Sequence, residues 1–547
     1  CFRYGFWWGM DFNAYVFLVP LLLVSVPGAF IPAYFAIGDT VRLTLFLLYA
    51  ALLYTAFIGK MIFFSHFHDT FNQTIWLGRH ADKRNFADIF FHQNHGVWLL
   101  LGYLPYLTLC FLAGNAVLSL PSLSYSTVTD GAGQYAVNAL VFVLSIVLFY
   151  WLRYGGTLRH RLKPEWDEVP AIVKEDFILG KATMDDLIAL KMVWKRPVQE
   201  ILHHSDEESH MIMRAVLPAK CSLDRTPLEA FKRTARGARI TKPRHIFFLL
   251  GESYGQVFFD APYAALNLME AGARFRAEPH TVCINNFLPS GMISQPSLVS
   301  LLLGVYDADL ELNENVLFWN HTLPSSLAHQ LKALLYQLRA LGYRTSFWYG
   351  GGLNWGSLVH FIPALGFDAA YGGTDICGAD APRTWLGVYD HIFLAEAARR
   401  IRDEGDAAPS FHFLYTTSNH GPFLIPFEEC GFDAARLNPE MAAALTRNSK
   451  KYRGLGCAWY GDFALCRFID EMRAAFPDSL FIVTGDHVGG ENPIIEGLSE
   501  RQELLLRERI LPSFSMHHPA LTAEHLAHNE IGGHMNILPT IIELIAP

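Results

Sequence analysis

Four stretches of this chain contain no charged residue and are mostly apolar: Ala14–Gly38, Leu43–Gly59, Val97–Thr129 and Ala132–Leu152. A bilayer core of about 30 Å is crossed by a helix of roughly 17–25 apolar residues, so each run is long enough to span. A single run of this kind is compatible with a buried core helix. Four in succession point to a multi-span membrane domain over residues 1–155. Pro20, Pro27, Pro32 and Pro105 fall inside these runs, where neighbouring helices tolerate a kink. The third run is longer than a span needs, which leaves its tail as a loop. The chain opens on Cys1, read as a truncated start with room for a targeting segment or another span ahead of it.

Charge follows the same division. Only 17% of the 547 residues are charged, the formal net charge is −9, and no long basic run occurs, which argues against a nucleic-acid partner. Lys60, Arg79, Lys83 and Arg84 lie between the second and third runs, and Arg153, Arg159, Arg161 and Lys163 follow the fourth. Alternating spans put both groups on one side, and the positive-inside tendency alone makes that side cytoplasmic. Residues 156–244 are polar with acidic clusters and read as a juxtamembrane connector, with His203, His204 and His210 on its surface. The eight cysteines form no CxxC pair; Cys221, Cys283, Cys377, Cys430, Cys457 and Cys466 suit either one to three disulfides or buried thiols.

From His245 onward the pattern becomes short apolar strands alternating with helices, the signature of an α/β domain with a largely parallel sheet over 245–547. Three strands end in suggestive residues. Ile246–Leu250 stops at Gly251-Glu252-Ser253, Phe411–Thr417 at Ser418-Asn419-His420-Gly421, and Leu480–Thr484 at Gly485-Asp486-His487. Open α/β sheets bind ligands at that carboxyl edge. Arg344–Trp348 reads as a further strand, and Ser325–Leu341, Asp390–Arg402, Asp462–Ala475 and Asn536–Ile545 read as helices.

Each candidate has a plainer reading. Glu252 is placed to favour a helix N-terminus, and Asp486-His487 can be a turn. Two strands ending this way shift the balance to a divalent cation, which takes carboxylate and imidazole ligands converging from separate elements. Ser294, in the loop-to-helix stretch Ser290–Gly304, is the candidate nucleophile, since a serine hydroxyl needs a base or a metal to react at neutral pH. It can equally be an N-cap, with Pro296 just inside the helix. His420, His528 and His534 sit in loops at element ends, His420 being the strongest candidate to touch a transferred group or protonate a leaving group.

Taken in order, Gly251-Glu252-Ser253, Ser294-x-x-Ser297-Leu298, Ser418-Asn419-His420-Gly421-Pro422-Phe423, Gly485-Asp486-His487 and Leu538-Pro539-Thr540 resemble the alkaline phosphatase/sulfatase superfamily. With a multi-span anchor in front, the chain looks like the lipoteichoic acid synthase group, which includes phosphoglycerol and phosphoethanolamine transferases. The resemblance implies a mostly parallel central sheet flanked by helices. It implies a divalent ion, manganese first with magnesium or zinc as alternatives, on Glu252, Ser294, Asp486 and His487. It also implies catalysis by Ser294 and His420, with Trp355, His420 and His534 at the substrate. The implied reaction moves a head group from a membrane phospholipid to an envelope glycan, polymer or lipid through an ester on Ser294, with the catalytic domain outside the cytoplasmic membrane. That placement opposes the charge count, and we side with the resemblance. Where lipoteichoic acid synthases carry a His and then Trp-x-Arg, this chain has Tyr349 and Trp355-Gly356-Ser357. The nearest rival is a sulfatase with a modified Ser294; the sulfatase signature continues x-Pro-Ser-Arg, and here Leu298 replaces the Arg.

Overall fold

The computed structural model describes residues 2–31, 34–67, 94–120, 131–159, 183–195, 205–216, 234–306, 333–405, 408–436, 450–488, 505–525 and 531–547, with a few scattered positions between them. The chain divides into two compact units, Cys1–Pro197 and Val198–Pro547.

Among its described residues the first unit holds four helices long and apolar enough to cross a membrane: Gly5–Phe30, Ile37–Ser65, Gly96–Leu118 and Gly131–Arg153. Their outward side chains are mostly apolar, as Leu104, Leu109 and Val117 show, which suits a lipid solvent. The first helix begins earlier than expected and is broken by a π-helical turn at Leu21–Ser25, directly after Pro20. A proline lacks the N–H and crowds the preceding turn, so the helix adjusts its hydrogen-bond spacing there. The second runs through Lys60, expected as its end, to Phe67. Lys60 is accommodated because its Nζ pairs with Asp186 at 2.6 Å and the Met184 carbonyl at 3.1 Å. Both partners belong to the 156–244 segment, whose helix Asp186–Lys195 packs Ile188, Ala189 and Val193 against Trp8 and Phe63.

The second unit is built on a seven-stranded sheet. Its strands are β1 (His245–Gly251), β2 (Thr281–Cys283), β4 (Arg344–Tyr349), β5 (Ala369–Gly372), β6 (Ser410–Tyr415), β7 (Leu480–Gly485) and β8 (Phe514–His517), in the order β2-β8-β7-β1-β6-β4-β5. The five strands from β7 to β5 are parallel, while β8 pairs antiparallel with both β7 and the edge strand β2. A separate parallel pair joins β3 (Asn286–Leu288) to β9 (Ile531–Gly533).

β1 is central and wholly buried, which is why it reads as an unbroken apolar run. Side chains alternate across a strand, and the two faces fill two cores. Ile246, Phe248 and Leu250 pack with helices α1 (Ser294–Leu303) and α4 (His534–Ile545). Phe247 and Leu249 pack with α2 (Asp390–Glu404) and α3 (Lys450–Ala475). Each fully buried phenylalanine contributes roughly 1.5–3 kcal/mol. Helix α3 starts at Lys450 rather than at Asp462 as expected, and α4 starts at His534. The helix expected over Ser325–Leu341 is described as Ala333–Ala340, its first part lying outside the described residues. Among the described cysteines, Cys110, Cys283, Cys377, Cys430, Cys457 and Cys466 are free thiols.

Candidate active site

Parallel strands present their carboxyl ends to one edge of the sheet, and the polar residues collect there. Glu252 follows β1, and Asp486 and His487 follow β7, one strand away. One donor atom from each of the three lies within 4.8 Å of the others. Ser294 arrives from a different direction, on the first turn of α1. Its hydroxyl does not cap that helix: Ile293 occupies the N-cap position in an extended conformation, without a side-chain cap bond. Instead the hydroxyl lies 3.2 Å from Glu252 Oε2 and 3.1 Å from His487 Nε2. The approach loop is held by Ser297 Oγ, which donates to the Gly291 carbonyl at 2.8 Å. Gly291 has no room for a side chain, since a Cβ would stand 2.8 Å from the Ser297 nitrogen.

The electrostatics of this cluster are unusual for a protein interior. Glu252 and Asp486 are buried side by side. Burial first, then the charge of Asp486, pushes the Glu252 carboxyl up to about 8, against the opposing pull of His487 and the Ser253 and Ser294 hydroxyls. Burial lowers the His487 imidazole, but Asp486 and Glu252 outweigh it and leave the ring raised. His487 Nδ1 lies 2.9 Å from the Val488 carbonyl and donates to it, which turns Nε2 toward the carboxylates, 3.5 Å from each. Two carboxylates, an imidazole nitrogen fixed in the ligating tautomer and a serine oxygen form a donor set that fits a divalent cation. Glu252, Asp486, His487 and Ser294 would hold it.

Sequence reasoning missed Tyr415, the last residue of β6. Its hydroxyl donates to Asp486 Oδ2 at 2.7 Å and lies 3.4 Å from Glu252 Oε2. It also missed Asp390, at the start of α2, whose Oδ1 accepts the Thr417 and Ser418 N–H groups at 2.9 and 3.1 Å and so shapes the loop carrying His420. An aromatic at a strand end reads as core, and an acid at a helix start reads as a cap.

The other expected residues fall around this centre in different ways. Trp355 sits on a turn at the carboxyl end of β4, its ring 5.5 Å from Tyr349 and 6.5 Å from Tyr415, so it walls the same corner. That turn is tied to α1 through Asn313, which donates to the Gly356 carbonyl at 2.7 Å and accepts from Gln295 at 3.3 Å. His420 is half-buried after β6; its Nδ1 lies 2.8 Å from the Gly421 carbonyl, and its ring stands edge-on to Trp385. His534 is buried, and both its nitrogens are engaged. Nδ1 accepts from the Ser290 N–H at 3.1 Å, so Nε2 carries the proton and donates to the Gly485 carbonyl at 2.8 Å. Burial takes its pKa down to about 4, and it therefore works as a neutral clamp between the loop that leads into α1 and the end of β7. A ring with both nitrogens so engaged has none left for a substrate. His203, His204, His528 and the side chain of His210 lie outside the described residues.

The family model described as Sulfatase matches residues 244–546, more than half of the chain, and the chain belongs to that family. Among solved structures it is similar to the lipoteichoic acid synthase LtaP from Listeria monocytogenes, with 18% identity, 56% of this chain and 72% of that chain covered, and a TM-score of 0.44. It is similar to the integral membrane lipooligosaccharide phosphoethanolamine transferase A from Neisseria meningitidis, with 11% identity, 99% and 95% covered, and a TM-score of 0.48. A third is the C-terminal periplasmic domain of EptC from Escherichia coli in complex with zinc, with 16% identity, 57% and 84% covered, and a TM-score of 0.40.

Proposed function

We propose that this chain is a membrane-bound, divalent-metal-dependent transferase. In this reading it moves a phosphoglycerol or phosphoethanolamine head group from a phospholipid to an envelope glycan, polymer or lipid, with the catalytic unit outside the cytoplasmic membrane. The observation that carries it is the Ser294 hydroxyl, turned away from helix capping and toward Glu252 and His487. The bound cation would neutralise the two carboxylates and favour the ionised serine oxygen. Ser294 Oγ attacks the phosphorus, forming one P–O bond while the bond to diacylglycerol breaks. The serine proton leaves along the Oγ to Glu252 Oε2 contact, and the diacylglycerol oxygen takes up a proton, a step we assign to His420. An acceptor hydroxyl then attacks the same phosphorus, forming the new P–O bond as the bond to Ser294 Oγ breaks; its proton passes to His420, and Ser294 Oγ recovers the proton held at Glu252. Trp355 walls the head group, and the first turn of α1 offers N–H groups to phosphoryl oxygens.

The sulfatase alternative requires an oxidised Ser294 with a guiding arginine four residues on. Leu298 holds that position with no exposed surface, packed in the core. This favours an unmodified serine. The deciding experiment is peptide mass analysis of the full chain and of Ser294→Ala after incubation with phosphatidylglycerol and phosphatidylethanolamine. A phosphoglycerol or phosphoethanolamine adduct on Ser294, absent from the variant, is expected and identifies the donor. An aldehyde mass at Ser294 would sink the proposal in favour of a sulfatase.

A further inference from the structure

Tyr415 ends β6 in register with Leu250 of β1 and Tyr349 of β4, and only 1% of its surface is exposed. Its ring stacks on Tyr349 at 5.2 Å, a contact that phenylalanine would make equally well. The oxygen therefore needs its own account, because a buried hydroxyl costs stability unless it is partnered. Its partners are the two carboxylates, Asp486 Oδ2 at 2.7 Å and Glu252 Oε2 at 3.4 Å, together with the Ser294 hydroxyl. The other oxygen of Asp486 is already committed, accepting the Ser253 and His487 N–H groups at 2.8 Å each. A carboxylate has about four lone-pair directions, so three donors leave one, on Oδ2.

We propose that Tyr415 is the positioning residue of the metal centre: its hydroxyl orients Asp486 as a one-oxygen ligand through Oδ2 and holds Glu252 beside Ser294. The inference rests on the reading that Glu252, Asp486 and His487 take a divalent ion. It concerns how tightly that ion is held, not whether transfer occurs. Without the hydroxyl, the Asp486 carboxylate is free to rotate about its side chain, and the ion meets a less organised site. Removing an outer partner of a metal ligand weakens binding about 10–100-fold.

The test is manganese titration of the full chain in detergent, by competition with a fluorescent chelator, for wild type, Tyr415→Phe and Asp486→Asn. Melting of the metal-free proteins is followed alongside, as a check that Phe keeps the fold. The expected result is one ion per wild-type chain, none on Asp486→Asn, and binding to Tyr415→Phe weaker by at least about tenfold at unchanged metal-free melting. Wild-type affinity in Tyr415→Phe would overturn the proposal while leaving the metal centre intact. Weakened binding accompanied by an equally lowered metal-free melting point would also overturn it, by assigning the hydroxyl to the fold. A wild-type chain that binds no divalent ion would overturn the metal-centre reading itself, and this proposal with it.

Discussion

Each unit of this protein buries carboxylate, and the two units compensate it differently. In the first, Asp11 is almost fully buried and meets Lys191 Nζ at 2.7 Å and Arg153 Nε at 3.2 Å, so two side-chain cations close the charge. In the second, Glu252 and Asp486 are buried together, and among the described residues neither pairs with a lysine or arginine. Hydroxyls, backbone N–H groups and one histidine face them instead. Burying charge without a counter-charge is costly, so the first arrangement is finished within the chain, whereas the second suits the cation proposed above. Burial, and then the neighbouring Asp486, raise the Glu252 carboxyl.

The contrast is broken or upheld most decisively by neutralising one acid in each centre. Asp486→Asn should lose the bound ion and reduce transfer by about a thousandfold or more, the scale of losing an activated nucleophile. Asp11→Asn should keep both metal and turnover. Its cost should be about 1–3 kcal/mol of stability, because Arg153 and Lys191 are partly exposed and can turn to water. Metal content by mass spectrometry and melting in detergent read both variants. Loss of metal from Asp11→Asn would undo the distinction. A smaller effect is expected on chelation of the wild type. Free ion at a hundredfold excess over its dissociation constant stabilises by about 2.7 kcal/mol, and a chelator should remove that amount. The same chelator should leave Asp486→Asn unmoved.

What was legible in the sequence follows from how locally each feature is determined. Apolar runs cut off by Gly251-Glu252 and Gly485-Asp486 mark strand ends without further context, so both the sheet edge and the Glu252, Ser294, Asp486 and His487 cluster were within reach. Lys60 was misleading because its partner, Asp186, lies in a segment with no sequence link to it. The early start of α3 was hidden by Gly454, Gly456 and Gly461, which ordinarily weaken a helix. There Gly456 packs directly under the Phe427 ring, and tertiary contact overrides propensity. Tyr415 and Asp390 were invisible for another reason: their roles exist only in strand register and in a loop folded back onto a helix start.

Asp390 also sharpens the comparison, as a buried acid faced by N–H donors rather than by a cation or a second carboxylate. Burial raises its carboxyl from 3.8 to about 6, against the hydrogen bonds from Thr417 and Ser418 that pull it down. A group whose folded pKa is raised binds its proton more tightly in the folded state than in the unfolded one. Its contribution is therefore complete below about pH 4 and is lost as pH rises through about 6. Asp390→Asn cannot titrate, so the stability difference between wild type and variant should shift against the wild type by on the order of 3 kcal/mol across that window. Denaturation midpoints of both proteins, measured with chelator present so that no divalent ion contributes, give the difference. A flat difference would mean that the N–H groups match the burial cost. A rise in favour of the wild type would mean that they exceed it, and Asp390 would then join Asp11 as an anion the fold has fully paired, in contrast to Glu252 and Asp486.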